Sequence, residues 1–397
     1  MKTLQELDLK GKRVFVRVDF NVPTDDQGAI TDDTRIRAHL PTIAYIVEKR
    51  GKAILASHLG RPKGKRNEKY TLRPVAKKLS DLLFRDVAFV DDCIGPKAQS
   101  AVAAMKEGDV VLLENLRFYP GEEKNDKDFA RELASLCDVY VDDAFATAHR
   151  GHASNAGITE FVKTCAVGML LKSELDYLRR ATDNPARPLV AIIGGAKVSD
   201  KIGVLEKLID RVDKLIVGGG MAFTFLKALG YEIGKSLCET DMLDVAKSIV
   251  EKARAKNVKL YLPVDCVLAE QATADAVTRQ LPVQEIPPLL AGLDIGPATA
   301  TLFSEALQDA KTIVWNGPMG MFELAPFSVG TFALAASVAA TDALTIVGGG
   351  DTDTAVHQAG VANRISYIST GGGAFLELLE GKPMPAIEAL ESCGGGS

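Results

Sequence analysis

Apolar residues along this chain gather into short runs, and most runs lead into a polar stretch with helical spacing. In the first half the runs are RVFVRVDF (13–20), AILASHLG (53–60), VVLLENLRF (110–118), VYVDDAFAT (139–147) and CAVGML (165–170). In the second half they are LVAIIGG (189–195), KLIVGGG (214–220), LYLPVDCVLA (260–269), TIVWNGP (312–318), LTIVGGG (344–350) and ISYISTGGG (365–373). Between them lie amphipathic stretches such as RIRAHLPTIAYIVEKRG, closed by Gly51, and TLRPVAKKLSDLLF, opened by Thr71 with Pro74 in its first turn. Runs that are apolar on both sides of the pleat predict parallel sheets covered by helices on both faces. Two such series predict an α/β chain of two doubly wound, Rossmann-like domains. MLLKSELDYLRRA (169–181) reads as one helix, and Pro185 and Pro188 end it and turn the chain into the second sheet. The expected division is 1–168, a connecting helix and hinge at 169–188, and 189–378.

Composition narrows the class without changing this picture. At 397 residues, two domains are the natural expectation. A net charge of −5 argues against a nucleic-acid or membrane-surface partner. MKTLQELDLKGKRV lacks the apolar core of a secretory leader, and no apolar run reaches the ~18 residues of a membrane span. Six scattered cysteines without a CxxC pair predict reduced, mostly buried thiols in a cytoplasmic protein, and no zinc site. The CGGGS ending is expected to be unstructured.

Candidate chemistry differs between the halves. Four glycine clusters follow apolar runs in the second half and none in the first: IIGGAKVSDK, LIVGGGMAF, TIVGGGDTDT and YISTGGGAF. Glycine lets a backbone approach a ligand closely, and the amides of a following helix favour an anion, so the clusters predict a floor for a polyphosphate. Lys197 and Lys201, four apart, are expected on one face of an opening helix with Asp200 beside them. Asp351 reads either as a helix N-cap, with Thr352 competing, or as a magnesium contact beside the phosphates; the two roles are compatible. Glu323 suits ribose hydroxyls. The first half instead places cations at strand ends: His58 and Arg61 in SHLGRP, Arg117 in NLRF, His149, Arg150 and His152 in AHRGH, and Arg35 at the start of the first helix. Arg17, Asp19 and Asn21 would share one face if the strand persisted. Any one of these reads alone as a solvated charge or an Asx turn. Together they suggest a small, multiply negative metabolite. A Walker A loop fails by one residue in GYEIGKS, and no GxGxxG opens the first βα turn of either half, so a dinucleotide dehydrogenase is unsupported.

RVDFNVP, SHLGRP, ENLRF, AHR, GGAKVSDK, GGGMAFTF, WNGP, GGGDT and STGGGA, in this order and over nearly the whole chain, resemble phosphoglycerate kinases. The resemblance implies reversible, magnesium-dependent, in-line phosphoryl transfer between 1,3-bisphosphoglycerate and ADP, giving 3-phosphoglycerate and ATP. Because the two half-sites fall on different sheets, hinge closure about 169–188 is expected, and a monomer suits such a hinge. By the same resemblance Asp19, Asn21, Arg35, His58, Arg61, Arg117 and Arg150 hold phosphoglycerate. Gly194, Gly195, Lys197, Lys201, Gly218, Gly219, Asn316, Pro318, Glu323, Gly350, Asp351 and Thr352 hold the nucleotide, with Asp351 on Mg²⁺. Arg35, Lys197, Gly372 and Gly373 (the last two with Gly371 in one turn) attend the transferring group, and 379–397 returns to the first domain. A nucleotide-binding relative without catalysis is the alternative. No general base is expected, because a carboxylate and a phosphate oxygen are already ionised near neutral pH.

Overall fold

The computed structural model describes residues 1–393. The chain forms two compact units: Met1–Asp176 together with the chain from Pro383, and Tyr177–Lys382. Six strands build the sheet of unit 1: β1 (Arg13–Arg17), β2 (Lys52–Ala56), β3 (Val87–Val90), β4 (Val110–Leu113), β5 (Val139–Asp142) and β6 (Cys165–Val167). Their order is β3-β4-β2-β1-β5-β6, and every pairing is parallel. Because β4, β2, β1 and β5 are neighbours and all run parallel, their carboxyl ends lie side by side at one edge of the sheet. Val14, Val16, Leu55, Leu112 and Val141 bury one face beneath the helices Thr34–Glu48 and Arg73–Leu83. Each such side chain contributes about 1.5–3 kcal/mol by leaving water.

Unit 2 also holds a six-stranded parallel sheet, with a different strand order: β7 (Leu189–Ile193), β8 (Lys214–Val217), β9 (Lys259–Tyr261), β13 (Thr312–Asn316), β14 (Leu344–Gly348) and β15 (Tyr367–Ser369) are arranged β15-β14-β13-β7-β8-β9. The single tryptophan of the chain, Trp315 on β13, is wholly buried in its core with Ile192, Phe303 and Leu334. Between β9 and β13 the chain adds an antiparallel sheet of β10 (Asp265–Ala269), β11 (Arg279–Pro282) and β12 (Ala291–Ile295), ordered β11-β10-β12.

Several expectations need correction. LYLPVDCVLA is two strands in two sheets: Pro263 separates β9 from β10. β3, β11 and β12 were not anticipated. Both β3 and β11 are four-residue edge strands with partly exposed positions, and Arg-Gln-Leu-Pro in β11 carries no apolar alternation. Arg50, not Gly51, takes the left-handed conformation after the first long helix, at φ 61°. The connector helix runs Met169–Thr182, and the units divide within it at Asp176/Tyr177. The return to unit 1 begins at Pro383 rather than at 379. There the helix Pro385–Ser392 buries Ala386, Ile387 and Leu390, and Ala386 N–H donates to the Ala148 carbonyl at 3.2 Å. Cys393 is disulfide-bonded to Cys165 on β6, so these two cysteines are not the reduced thiols expected, and Cys393 does not belong to an unstructured tail. Cys93, Cys137, Cys238 and Cys266 are free. Residues 394–397 of the CGGGS ending lie outside the described residues.

Candidate active site

In unit 1 the predicted cations meet around the carboxyl ends of β4, β2, β1 and β5. β1 stops at Arg17, so Arg17, Asp19 and Asn21 do not share one extended face. Arg17 turns fully inward: its Nε donates to Ser154 Oγ at 2.8 Å, its NH1 to the Val18 carbonyl, and its NH2 lies 3.3 Å from His58 Nδ1. Asp19 is only 4% exposed and receives Arg35 NH1 on Oδ2 at 2.6 Å. Burial works to raise its pKa, yet the neighbouring His58, Arg35 and Arg17 outweigh burial and the carboxyl stays below its usual value. His58, 3.8 Å from Asp19, is itself driven well below its usual value, first by burial. Near neutral pH the ring is therefore uncharged, and the two arginines do the holding. Asn21 Oδ1 accepts the Gly60 amide at 2.8 Å, joining the β1 and β2 ends.

Arg117 is 3% exposed. One of its nitrogens, NH1, donates to the Gly60 carbonyl at 2.9 Å, and Nε lies 3.2 Å from the Glu123 carboxylate. Its NH2 is buried with no acceptor. Burial lowers its pKa; the Glu123 carboxylate opposes this, and the like charges of Arg17 and Arg150 add to it. His152 is pushed down to about 3 by burial, then by Arg17, Arg117 and Arg150. Arg35, Arg117 and Arg150 are thus gathered with His58 about one basic centre, whereas Arg61 stands exposed at the rim. Arg150 is exposed too, its Nε donating to His149 Nε2 at 2.9 Å. The reading of the sequence missed the groups that brace this centre. Glu122, fully buried, accepts from the Ser154 amide at 3.0 Å and its hydroxyl at 2.6 Å, and that hydroxyl in turn receives Arg17. A charged residue flanked by apolar ones, Arg17 between Val16 and Val18 at the end of β1, was the available signal.

Unit 2 is built from backbone. Gly194 and Gly195 follow β7, Gly218 and Gly219 follow β8, and Pro318 lies two residues past β13. These turns pack against one another: a Cβ on Gly194 would fall 2.2 Å from the Pro318 carbonyl oxygen. Their amides are already engaged, which corrects their expected role as phosphate donors. Gly194 N–H donates to Asn316 O (2.9 Å), Gly195 to Pro318 O (3.2 Å), Gly218 to Ile193 O (3.0 Å) and Gly219 to Met319 O (3.1 Å). These glycines allow the strand ends to close up, and they offer a ligand a close backbone surface rather than free amide donors. The open turns are those after β14 and β15: a Cβ on Gly350, Gly372 or Gly373 would meet nothing within 4 Å. Gly350 opens the helix Gly350–Gln358, whose first amides have no intrahelical acceptor.

Lys197 and Lys201 do not lie on a helix face. The helix begins at Ile202, Lys201 is its N-cap residue, and Lys197 sits exposed in the preceding loop. Lys201 Nζ donates to Asn316 Oδ1, while Asn316 Nδ2 donates to the Gly348 carbonyl at 2.6 Å. Burial lowers the Lys201 pKa, against Asp200 and Asp351, whose carboxylates act to raise it. Asp351 is not the N-cap; Gly349, at φ 97°, is. Asp351 instead presents an exposed carboxylate in the first helical turn. Thr352 is buried, its Oγ1 accepting the Gly317 amide at 2.7 Å, so it braces the β13 turn. Glu323 is exposed past β13. Among the described residues no group of three or more His, Cys, Asp or Glu converges as a metal cage. A lone exposed carboxylate fits Mg²⁺ held mainly by nucleotide phosphates.

The model of the phosphoglycerate kinase family matches residues 4–382. The chain is 62% identical over 387 residues to the phosphoglycerate kinase of Citrifermentans bemidjiense, covering 98% of this chain and 97% of that one. Among solved structures it is similar to phosphoglycerate kinase from Coxiella burnetii (TM-score 0.90, 46% identity) and from Pyrococcus horikoshii OT3 (TM-score 0.87, 32% identity), each match covering 98% of both chains.

Proposed function

The chain belongs to the phosphoglycerate kinase family, and from that premise we propose how its two half-sites divide the reaction. The activity is phosphotransfer in glycolysis, with phosphoglycerate and ATP or ADP as substrates. We place 3-phosphoglycerate or 1,3-bisphosphoglycerate in unit 1, against Asp19, Asn21, Arg35, His58, Arg61, Arg117 and Arg150. The observation that carries this is Arg117: a buried guanidinium with an unanswered donor, inside a cluster of like charge, is costly unless an anion completes it. We place ADP or ATP in unit 2, along Gly194, Gly195, Gly218, Gly219, Asn316, Pro318, Glu323 and the Gly350–Thr352 turn. Lys197 and Lys201 reach its phosphates, and Asp351 would hold Mg²⁺, which neutralises phosphate charge when bound.

Catalysis on this reading is alignment and charge stabilisation, since neither nucleophile needs a proton removed. Arg35, Lys197 and the amides of the Gly371–Gly373 turn are assigned to the transferring phosphoryl group. A non-catalytic relative would dispense with Arg35, Lys197 or Asp351, and all three are present. We assign the enzyme to the cytoplasm as a monomer; among the described residues no helix is long and apolar enough to cross a membrane. A coupled assay with ATP and 3-phosphoglycerate, on wild type and Arg35→Ala, tests the assignment: turnover by the wild type and its loss in the variant are expected, and an inactive wild type contradicts it. Because the half-sites lie on separate units joined through the connector helix, closure about residues 169–188 is proposed to bring them together and exclude water. Small-angle scattering should show a smaller radius of gyration with both substrates bound; unchanged dimensions contradict closure.

A further inference from the structure

We propose that His39 is a positioning residue for the phosphoglycerate half-site: its neutral imidazole fixes the main chain at Asp19 and ties it, through Asp143, to the first turn of the connector helix. This rests on the reading of Asp19 as a substrate-binding residue. His39 lies in the helix Thr34–Glu48, is 1% exposed, and packs edge-on to Phe20 with ring centroids 5.6 Å apart. Both ring nitrogens are engaged. Nε2 takes the Asp19 main-chain N–H at 2.9 Å, and Nδ1 lies 2.8 Å from Asp143 Oδ2. A main-chain amide can only donate, so Nε2 carries no hydrogen. The neutral ring then holds its proton on Nδ1 and donates it to Asp143.

Asp143 is wholly buried at the end of β5. Its second oxygen accepts the amides of Leu170 at 2.9 Å and Leu171 at 3.3 Å, in the turn where a helix has no acceptors of its own and where its dipole favours a carboxylate. Gly168 makes the room: a Cβ there would fall 2.1 Å from Asp143 Oδ1. The same face of the first long helix adds two further ties. Arg35, one turn before His39, donates to the Asp19 carboxylate, and Thr42, one turn after, accepts the Met169 amide at 2.9 Å. Asp19 is thus held by side chain and by main chain from one helix, and that helix also holds the start of the connector. The Asp19 segment cannot shift without moving His39 or breaking a buried hydrogen bond.

Two substitutions separate the two ties. An asparagine side chain reaches the Nδ1 position alone, and a glutamine side chain the Nε2 position alone. His39→Asn therefore keeps a donor for Asp143 and removes the acceptor at Asp19; His39→Gln does the reverse. His39→Asn is expected to raise KM for 3-phosphoglycerate about five- to tenfold, the effect of one buried hydrogen bond, with KM for ATP unchanged. His39→Gln should restore KM for 3-phosphoglycerate to within about twofold of wild type. If both variants change both KM values alike, or if His39→Asn leaves KM for 3-phosphoglycerate unchanged, the proposal is overturned. Nitrogen-15 spectra of the wild-type histidines provide a readout that needs neither turnover nor a folded variant: His39 should show a protonated Nδ1 and a bare Nε2, and the opposite tautomer overturns it. Failure of the kinase reading would appear separately, as a wild type without turnover.

Discussion

Unit 1 and unit 2 are both built on a six-stranded parallel sheet, yet the half-sites proposed for them are made of different material. The half-site proposed for unit 1 is made of long side chains: Arg35 is held by buried Asp19, Arg17 by buried Ser154 and through it Glu122, and Arg117 and Arg150 stand near them. The one proposed for unit 2 is made of backbone turns, and the lysine that reaches inward, Lys201, is held by Asn316. The difference sets what each half tolerates. A side-chain site carries unmet polar groups that a ligand completes, as at Arg117 NH2, and losing one removes binding more than folding. A backbone site packs turn against turn, as at Gly194 and Pro318, and adding one carbon disturbs the fold before it disturbs the ligand.

The largest effect that can break this comparison is on the rate. Arg35→Ala removes a preorganised donor and should lower kcat by about 10²–10³, roughly 3–4 kcal/mol in the barrier, with thermal stability close to wild type. A fall in stability of the same size would make Arg35 a structural residue. Next comes Gly194→Ala, which forces a Cβ to 2.2 Å from a carbonyl oxygen and should destabilise unit 2 by about 1–3 kcal/mol. Trp315, the single tryptophan and wholly buried in unit 2, reports that unfolding by fluorescence. An unchanged midpoint would show that the turns have slack.

A smaller effect sharpens the comparison through pH. Asp294, in unit 2, accepts amides from Gly330 at 2.7 Å and Ile295 at 2.9 Å. Burial outweighs both and pushes its carboxyl up to about 7. The folded state therefore holds a proton that the unfolded state has released above about pH 4, and stability falls as pH rises from about 4 to 7. The slope should approach about 1.4 kcal/mol per pH unit at its steepest. Asp294→Asn should flatten it in the Trp315 signal whatever its effect on absolute stability; an unaltered slope would assign the proton elsewhere.

The contrast between side chain and backbone also explains what could be read from the chain. Arg35, Arg117 and Arg150 were legible because strand ends converge in a parallel sheet, whatever the helix details. The glycine clusters were legible as a pattern, but the individual roles were not. An amide's partner depends on which strand lies next door, and the engagement of Gly194 by Asn316, 122 residues away, follows from the β7–β13 pairing. For the same reason Asp351 was misplaced as a cap and Thr352 as its competitor: the φ of Gly349 moves the helix start by two residues. β11 has too little apolar alternation to announce itself. The Cys165–Cys393 bridge joins residues 228 apart, a pairing that cysteine spacing does not contain.

The account depends most on each unit binding its own substrate, and calorimetric titration of Arg117→Met with 3-phosphoglycerate and with MgADP tests this directly. Methionine keeps the apolar stem and removes the buried donor, so the heat of 3-phosphoglycerate binding should disappear while MgADP binds within about twofold of wild type. Loss of MgADP binding in a folded variant, or phosphoglycerate affinity left intact, would contradict the division of labour between the two units.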